Sequence, residues 1–244
     1  MASRPVLVIG AAGAIGAAVC ADLAENGYVV HAADLVAPDG IGQVAHALDV
    51  TDDAAVSALV EELWEAGPPA GVVYTAGLVT TGPVADLDWG RYEALMEVNL
   101  RGAFRVGKAV AGQVRQGRHD LSLVFLASVA GLTGEAGGSI YCASKFGLVG
   151  FVQSLAAELA PSGVRANAVC PGNVDSPMLR ELAEAVAAER GVPAATVLAE
   201  LAGASAFDRL IEPAEVARVC TFLVSPLASG VSGQSLVVDG PPAI

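Results

Sequence analysis

Val6-Leu-Val-Ile9-Gly10-Ala-Ala-Gly13-Ala-Ile-Gly16 is the stretch whose reading decides the fold. Four apolar residues give way without a linker to three glycines spaced three apart. Residues 6–9 are apolar on both faces, as suits a strand buried between two layers. Glycines after such a strand let the backbone turn tightly and approach a pyrophosphate. The free N–H groups and dipole of the helix that follows then stabilise the anion. A glycine-rich turn alone is also an ordinary tight turn; its place at the first strand-to-helix junction favours the dinucleotide reading.

Working outward, short apolar runs alternate with longer amphipathic or Ala-rich stretches. Strands are expected at 6–9, 28–33, 44–48, 72–75, 121–127, 165–169 and 235–238, and helices at 15–26, 53–66, 89–116, 139–160 and 213–223. Alternating buried strands and helices describe an α/β fold, a single-domain Rossmann-type doubly wound parallel sheet of about seven strands. The length of 244 residues suits one large core. Residues 173–212 break the rhythm: acidic, Ala-rich, with Pro177, Pro193 and two short helices expected but no strand. An insertion after a strand's carboxyl end lies on the ligand side, so a substrate lid is favoured over a surface excursion.

Composition narrows the function. With 54% hydrophobic and 16% charged residues, the chain reads as well-buried and globular rather than disordered. No uninterrupted apolar run approaches the roughly 18 residues that cross a bilayer, and residues 1–5 carry no secretory pattern, so no membrane association and a cytoplasmic location are expected. Cys20, Cys142, Cys170 and Cys220 form no Cys-x-x-Cys pair and read as reduced, buried thiols; the three histidines are scattered, so no metal site is expected. A formal net charge of −13 opposes nucleic-acid binding.

Asp34 ends the second expected strand. A carboxylate there accepts hydrogen bonds from the ribose hydroxyls of NAD and repels the 2′-phosphate of NADP; no Arg or Lys lies between Gly10 and Gly16 or just after Asp34 to offset the repulsion. The competing reading is a capping aspartate. Asp49-Val50 follows the third strand and suits the adenine, although Asp49 also reads as a helix cap. Tyr141-Cys-Ala-Ser-Lys145 puts a phenol and an ammonium four residues apart on one helix face, using one of only two lysines. A neighbouring ammonium, together with the positive nicotinamide ring of an oxidised cofactor, favours phenolate, turning a group of pKa near 10 into a general base. Ser128 stands just past the strand at 121–127, and Asn99 falls in mid-helix, where Asn is locally unfavourable.

Together with Pro171-Gly172, these residues resemble the short-chain dehydrogenase/reductase family in its compact branch of roughly 250 residues, over nearly the whole chain. The resemblance implies Tyr141 as acid/base, Ser128 as the group that holds the reacting oxygen, Lys145 on the nicotinamide ribose, and Asn99 on a water of a proton relay. It further implies that Gly10, Gly13, Ile15 and Gly16 face the pyrophosphate and that Asp49 and Val50 flank the adenine. Ala76 and Gly77 would then sit at the adenine-side ribose, and Pro171, Gly172, Val174 and Ser176 around the nicotinamide. A homotetramer is implied, pairing through the helices at 89–116 and 139–160 and the segment 237–240. Two departures stand out. The middle glycine is Gly13, with Ala14 where the compact branch usually has Gly, and the usual Asn-Asn-Ala-Gly reads Tyr74-Thr75-Ala76-Gly77, which removes two amides that tie strands together.

The substrate pocket is expected from 79–81, 130–138, Asn173 and the side chains of 177–202, with Glu135 as its charged candidate. Glu135 either accepts a second substrate hydroxyl or is a solvated loop carboxylate. The text at 187–201 is similar to that of family members acting on small hydroxy acids of 3-hydroxybutyrate type, but residues 135–139 lack the cation that would grip a carboxylate. The expected activity is therefore NAD-dependent hydride transfer at a secondary alcohol or ketone of a neutral cyclic or hydroxylated small molecule. The alternatives are a small hydroxy-acid dehydrogenase and a carrier-linked ketoacyl reductase.

Overall fold

The computed structural model describes residues 4–114 and 117–239. Seven parallel strands form one sheet in the order β3-β2-β1-β4-β5-β6-β7. They are β1 Pro5–Ile9, β2 Val29–Asp34, β3 Val44–Ala47, β4 Gly71–Tyr74, β5 Leu121–Leu126, β6 Val164–Pro171 and β7 Ser235–Val238. Helices follow as α1 Ala14–Glu25, α2 Asp53–Ala66, α3 Trp89–Met96, α4 Ala103–Gln113, α5 Ser139–Leu159, α6 Pro177–Arg190, α7 Ala194–Gly203 and α8 Pro213–Val224. Each expected strand is present.

Strand alternation builds two cores. Leu7, Ile9, Leu121, Leu123 and Phe125 point to the face covered by α2, α4 and α5, while Val6, Val8, Val124 and Leu126 point to the face covered by α1 and α8. All are buried, and each fully buried side chain of this size is worth roughly 1.5–3 kcal/mol. The chain order reverses between β1 and β4, and a crevice opens at the carboxyl ends there, where ligands bind in such sheets.

Two expectations change. The helix expected at 89–116 is two helices, α3 and α4, joined by a π-helical turn at Glu97–Gly102 that carries Asn99; residues 115–116, at its expected end, lie outside the described residues, as does Gly240. Second, although no single apolar run is long, Ser139–Ser162 is long and apolar enough, by length and composition, to cross a membrane. Half of its most apolar 18-residue window is buried, and Leu148, Val152, Leu155 and Leu159 of α5 pack into the core beneath the sheet.

Candidate active site

The first turn is held by glycine for reasons of space. Gly10 has φ +85°, and a Cβ there would lie 2.4 Å from the Ala76 nitrogen; a Cβ on Gly16 would lie 2.1 Å from the Gly10 carbonyl oxygen. Gly13 sits in ordinary backbone (φ −68°) with no contact closer than 3.4 Å, so the middle glycine is free to shift along the loop, as the Gly13–Ala14 departure does. Gly13 is the N-cap of α1, and no side chain caps that helix. Its leading N–H groups border the crevice without a capping side chain, a cradle that fits a pyrophosphate.

Asp34 is bonded to backbone through both of its oxygens. Its Oδ2 accepts the Ala12 N–H at 2.8 Å and its Oδ1 the Leu35 N–H at 2.7 Å, so it steadies the glycine loop. A carboxylate has further lone pairs, which remain for ribose hydroxyls. Asp49 accepts the Thr51 N–H and hydroxyl at 2.8 and 2.7 Å, and these bonds, the backbone one first, hold its pKa below the usual carboxylate value. The cap of α2 is Asp52, not Asp49. Val50 is buried.

At the other end of the crevice, Ser128 ends the strand-to-turn junction after β5 and accepts the Ala130 N–H. Tyr141 and Lys145 lie one turn apart on α5, with the Lys145 Nζ 5.6 Å from the centre of the Tyr141 ring. Burial pushes the Tyr141 phenol above its ordinary pKa, a hydrogen bond with Ser128 pulls it back, and Glu135 adds a further upward push. In the protein alone desolvation is the largest influence on the phenol; the expected lowering also draws on the positive nicotinamide ring of an oxidised cofactor. Lys145 is fully enclosed, and burial takes its pKa down to about 8, while its Nζ donates to the Leu126 carbonyl at 2.9 Å.

Asn99 is fully buried. Its Oδ1 accepts the Leu78 N–H at 2.7 Å; its Nδ2 donates to the Leu78 carbonyl at 2.9 Å and to Ser144 Oγ at 3.1 Å. Ser144 in turn donates to the Tyr141 carbonyl at 2.7 Å. Sequence reasoning missed Ser144, whose only signal is its place beside Lys145. It also missed Asp239, whose carboxylate lies so close that a Cβ on Gly172 would be 2.0 Å from it.

One cavity of about 530 Å³ gathers Gly10, Gly13, Ile15, Gly16, Gly77, Ser128, Glu135, Tyr141, Lys145, Pro171, Gly172, Val174 and Ser176. Asp34, Asp49, Val50, Ala76 and Asn99 stand outside its lining. From the segment 173–212 only Asn173 to Leu182 contribute; α7 packs on α6 instead, and Asn173 Nδ2 donates to the Leu201 carbonyl. That narrows the expected 177–202 wall. It also adds Glu181 as a second carboxylate beside Glu135.

The missing amides of the fourth strand are replaced in place. Thr75 Oγ1 donates within 3.0 Å of the Ile9 and Gly10 carbonyls, tying β4 to β1, and the Tyr74 hydroxyl donates to the Val98 carbonyl at 2.6 Å.

A family model described as enoyl-(acyl carrier protein) reductase matches residues 10–240. The chain belongs to the short-chain dehydrogenase/reductase family. This dehydrogenase/reductase is 34% identical over 253 residues to the cis-4-hydroxycyclohexanecarboxylate dehydrogenase of Sinomonas cyclohexanicum, covering 98% of this chain and 96% of the other. It is 35% identical over 244 residues to the 3-oxoacyl-(acyl-carrier-protein) reductase MabA of Mycobacterium tuberculosis, covering 98% and 92%. Among solved structures, a variant actinorhodin polyketide ketoreductase with NADPH matches with a TM-score of 0.89 and 30% identity, over 98% of this chain and 96% of that one. Relatives of this oxidoreductase thus include cyclic alcohol dehydrogenases and ketoacyl reductases, and the family binds a nicotinamide cofactor, which the uncapped α1 terminus and the Gly10–Gly16 loop fit.

Proposed function

We propose that the chain is an NAD-dependent oxidoreductase that transfers a hydride between the nicotinamide and a secondary alcohol or ketone of a neutral cyclic or hydroxylated small molecule. The observation that carries the reading is the convergence of Ser128, Tyr141 and Lys145 on the cavity that also opens onto the α1 N-terminus. A bound nicotinamide ring supplies hydride acceptance and donation; the proton is the protein's task. Tyr141 takes the alcohol proton, and returns it in the reverse direction. Ser128, which shares the cavity lining with Tyr141, donates to the reacting oxygen. Lys145, with a pKa near operating pH, holds a ribose and favours phenolate when charged. Asn99 fixes Leu78 and Ser144 and keeps one Oδ1 lone pair for a relay water on the Lys145 side.

Asp34 supports NAD over NADP, since its charge faces any 2′-phosphate. Gly10, Gly13, Ile15 and Gly16 hold the pyrophosphate, Asp49, Val50, Ala76 and Gly77 border the adenosine, and Pro171, Gly172, Val174 and Ser176 border the nicotinamide. Glu135 and Glu181, in a cavity lining whose one cation is Lys145, disfavour carboxylate substrates. In this reading α6 is a substrate lid over a single catalytic domain. The enzyme works in the cytoplasm as a homotetramer paired through the exposed Trp89, Phe104 and Phe146 of α3, α4 and α5.

Ketoacyl reduction is the second reading, favoured by the likeness to MabA; the net charge of −13 opposes docking of an acidic carrier protein. The test is an NAD-reduction screen over secondary alcohols, cyclic diols, cyclitols and hydroxy acids, beside NADPH-driven reduction of a ketoacyl thioester. Turnover of cyclic alcohols with NAD is expected; turnover confined to the thioester with NADPH would overturn the proposal.

A further inference from the structure

We propose that Tyr74 is a positioning residue that sets the π-helical turn carrying Asn99, and through it the Ser144–Tyr141 segment of the active site. The proposal rests on the catalytic reading of that segment.

Tyr74 ends β4 with its ring buried in the core beside Phe125, at 6.2 Å between ring centres. Its hydroxyl crosses from the sheet to the helical layer and donates to the carbonyl of Val98, the residue just before Asn99. A π-helical turn interrupts the i→i+4 ladder, and such interruptions are held by groups that enter from outside the helix. The turn has no slack at this point. A Cβ on Gly102, its last residue, would lie 2.5 Å from the Tyr74 hydroxyl and 3.2 Å from Val50 Cγ2. At its first residue, Glu97 is paired with Arg105, which also donates to the Val50 carbonyl and to Asp53. The sheet therefore grips the turn from below through one phenol, and a second set of contacts grips it from the side.

Asn99 inherits that placement. It spends its amide on Leu78 and Ser144, and Ser144 on the Tyr141 carbonyl. A hydroxyl at position 74 thus stands three hydrogen-bonded steps from the backbone of Tyr141. The family's usual asparagine at this position is too short to make the same bond, so the device belongs to this chain's departure at Tyr74-Thr75. Burial also pushes the Tyr74 phenol far above its ordinary pKa, so it stays a donor throughout the working range.

The test combines amide hydrogen exchange of the whole chain with turnover of NAD and cis-1,2-cyclohexanediol, in wild type, Tyr74→Phe, Asn99→Ala and the double variant. Tyr74→Phe keeps the ring and removes only the hydroxyl. Exchange at 97–103 and 141–147 is expected to quicken at least tenfold while 5–9 and 121–126 stay within about twofold. The kcat is expected to fall about tenfold with the KM for NAD nearly unchanged, and to fall no further when Tyr74→Phe is added to Asn99→Ala. Unchanged exchange at 97–103, acceleration spread evenly over the sheet, wild-type kcat, or additive losses would each overturn the proposal. If Asn99→Ala itself turns over normally, the catalytic reading of the segment falls too, whereas a damaged Asn99→Ala beside a normal Tyr74→Phe removes Tyr74 alone. Gly102→Ala, which pushes the hydroxyl off Val98 by contact, is the second variant should Tyr74→Phe fail to fold. The same exchange and kcat changes are expected from it, and their absence would overturn the proposal.

Discussion

The ammonium of Lys145 donates to the Leu126 carbonyl at 2.9 Å while standing 5.6 Å from the centre of the Tyr141 ring. The lysine is thus anchored to the end of β5, beside Ser128, rather than to the phenol. Burial drives the two groups apart: the Lys145 ammonium falls to about 8, while the Tyr141 phenol rises above its ordinary value. Only the lysine is thereby brought toward the working pH range; the raised phenol needs added positive charge beside it to act as a base.

The buried lysine should be visible in stability. A folded-state pKa of about 8 against an ordinary 10.5 means that the unfolded chain holds the extra proton between these values. Stability therefore rises with pH across that window, and the cost of burying the charge is full below pH 8. Relative to Lys145→Met, the wild type should gain about 3 kcal/mol between pH 8 and 10.5. Denaturant melts of both proteins across the window measure this. Taking the difference cancels the raised thiols and phenols, which act in the opposite sense.

Glu135 reaches Tyr141 through its charge. Removing that charge lowers the phenol's pKa, so Glu135→Gln should move the acidic limb of the kcat/KM profile for alcohol oxidation to lower pH. The same variant should improve kcat/KM for hydroxy acids by about tenfold, a change of about 1.4 kcal/mol. Full pH profiles on both substrate classes decide it.

The hold of Asp34 on the glycine loop and its proposed selection of NAD can be separated by mutation. Asp34→Asn retains an acceptor for the Ala12 N–H but loses the charge, so NADPH binding should improve at least tenfold while the loop stays in place. Asp34→Ala loses both, and NADH affinity should fall about tenfold or more. Fluorescence titration with NADH and NADPH reads each outcome; a wild type that binds NADPH more tightly would end the assignment of NAD.

The glycines of the first loop should differ sharply. Gly16→Ala drives a methyl to within 2.1 Å of the Gly10 carbonyl and should cost more than about 2 kcal/mol of stability or abolish NADH binding. Gly13→Ala meets nothing closer than 3.4 Å and should do neither. Thermal melts and NADH titration compare them.

The sheet was legible because most of its strands are apolar on both faces, and the candidates Ser128, Tyr141 and Lys145, which share one cavity, because their types and spacing are uncommon. What escaped is tertiary. Glu97-Val-Asn-Leu-Arg-Gly102 reads as uninterrupted helix, and the π-helical turn there accompanies contacts from Tyr74, Leu78 and Ser144. The replacement of the two missing amides by Thr75 and Tyr74 needed the positions of Ile9, Gly10 and Val98 in space. The reach of the segment after β6 was overread because α7 buries its apolar side against α6, not over the cavity. Desolvation of Tyr141 has no sequence signature at all.

The proton role of Tyr141 is tested most directly by single-turnover reduction of NAD by a cyclic secondary alcohol in Tyr141→Phe and wild type, with NADH affinity measured alongside. A rate lower by 10²–10⁴-fold at an NADH Kd within about twofold of wild type is the expected result. A rate within tenfold of wild type, with the cofactor bound normally, would contradict it.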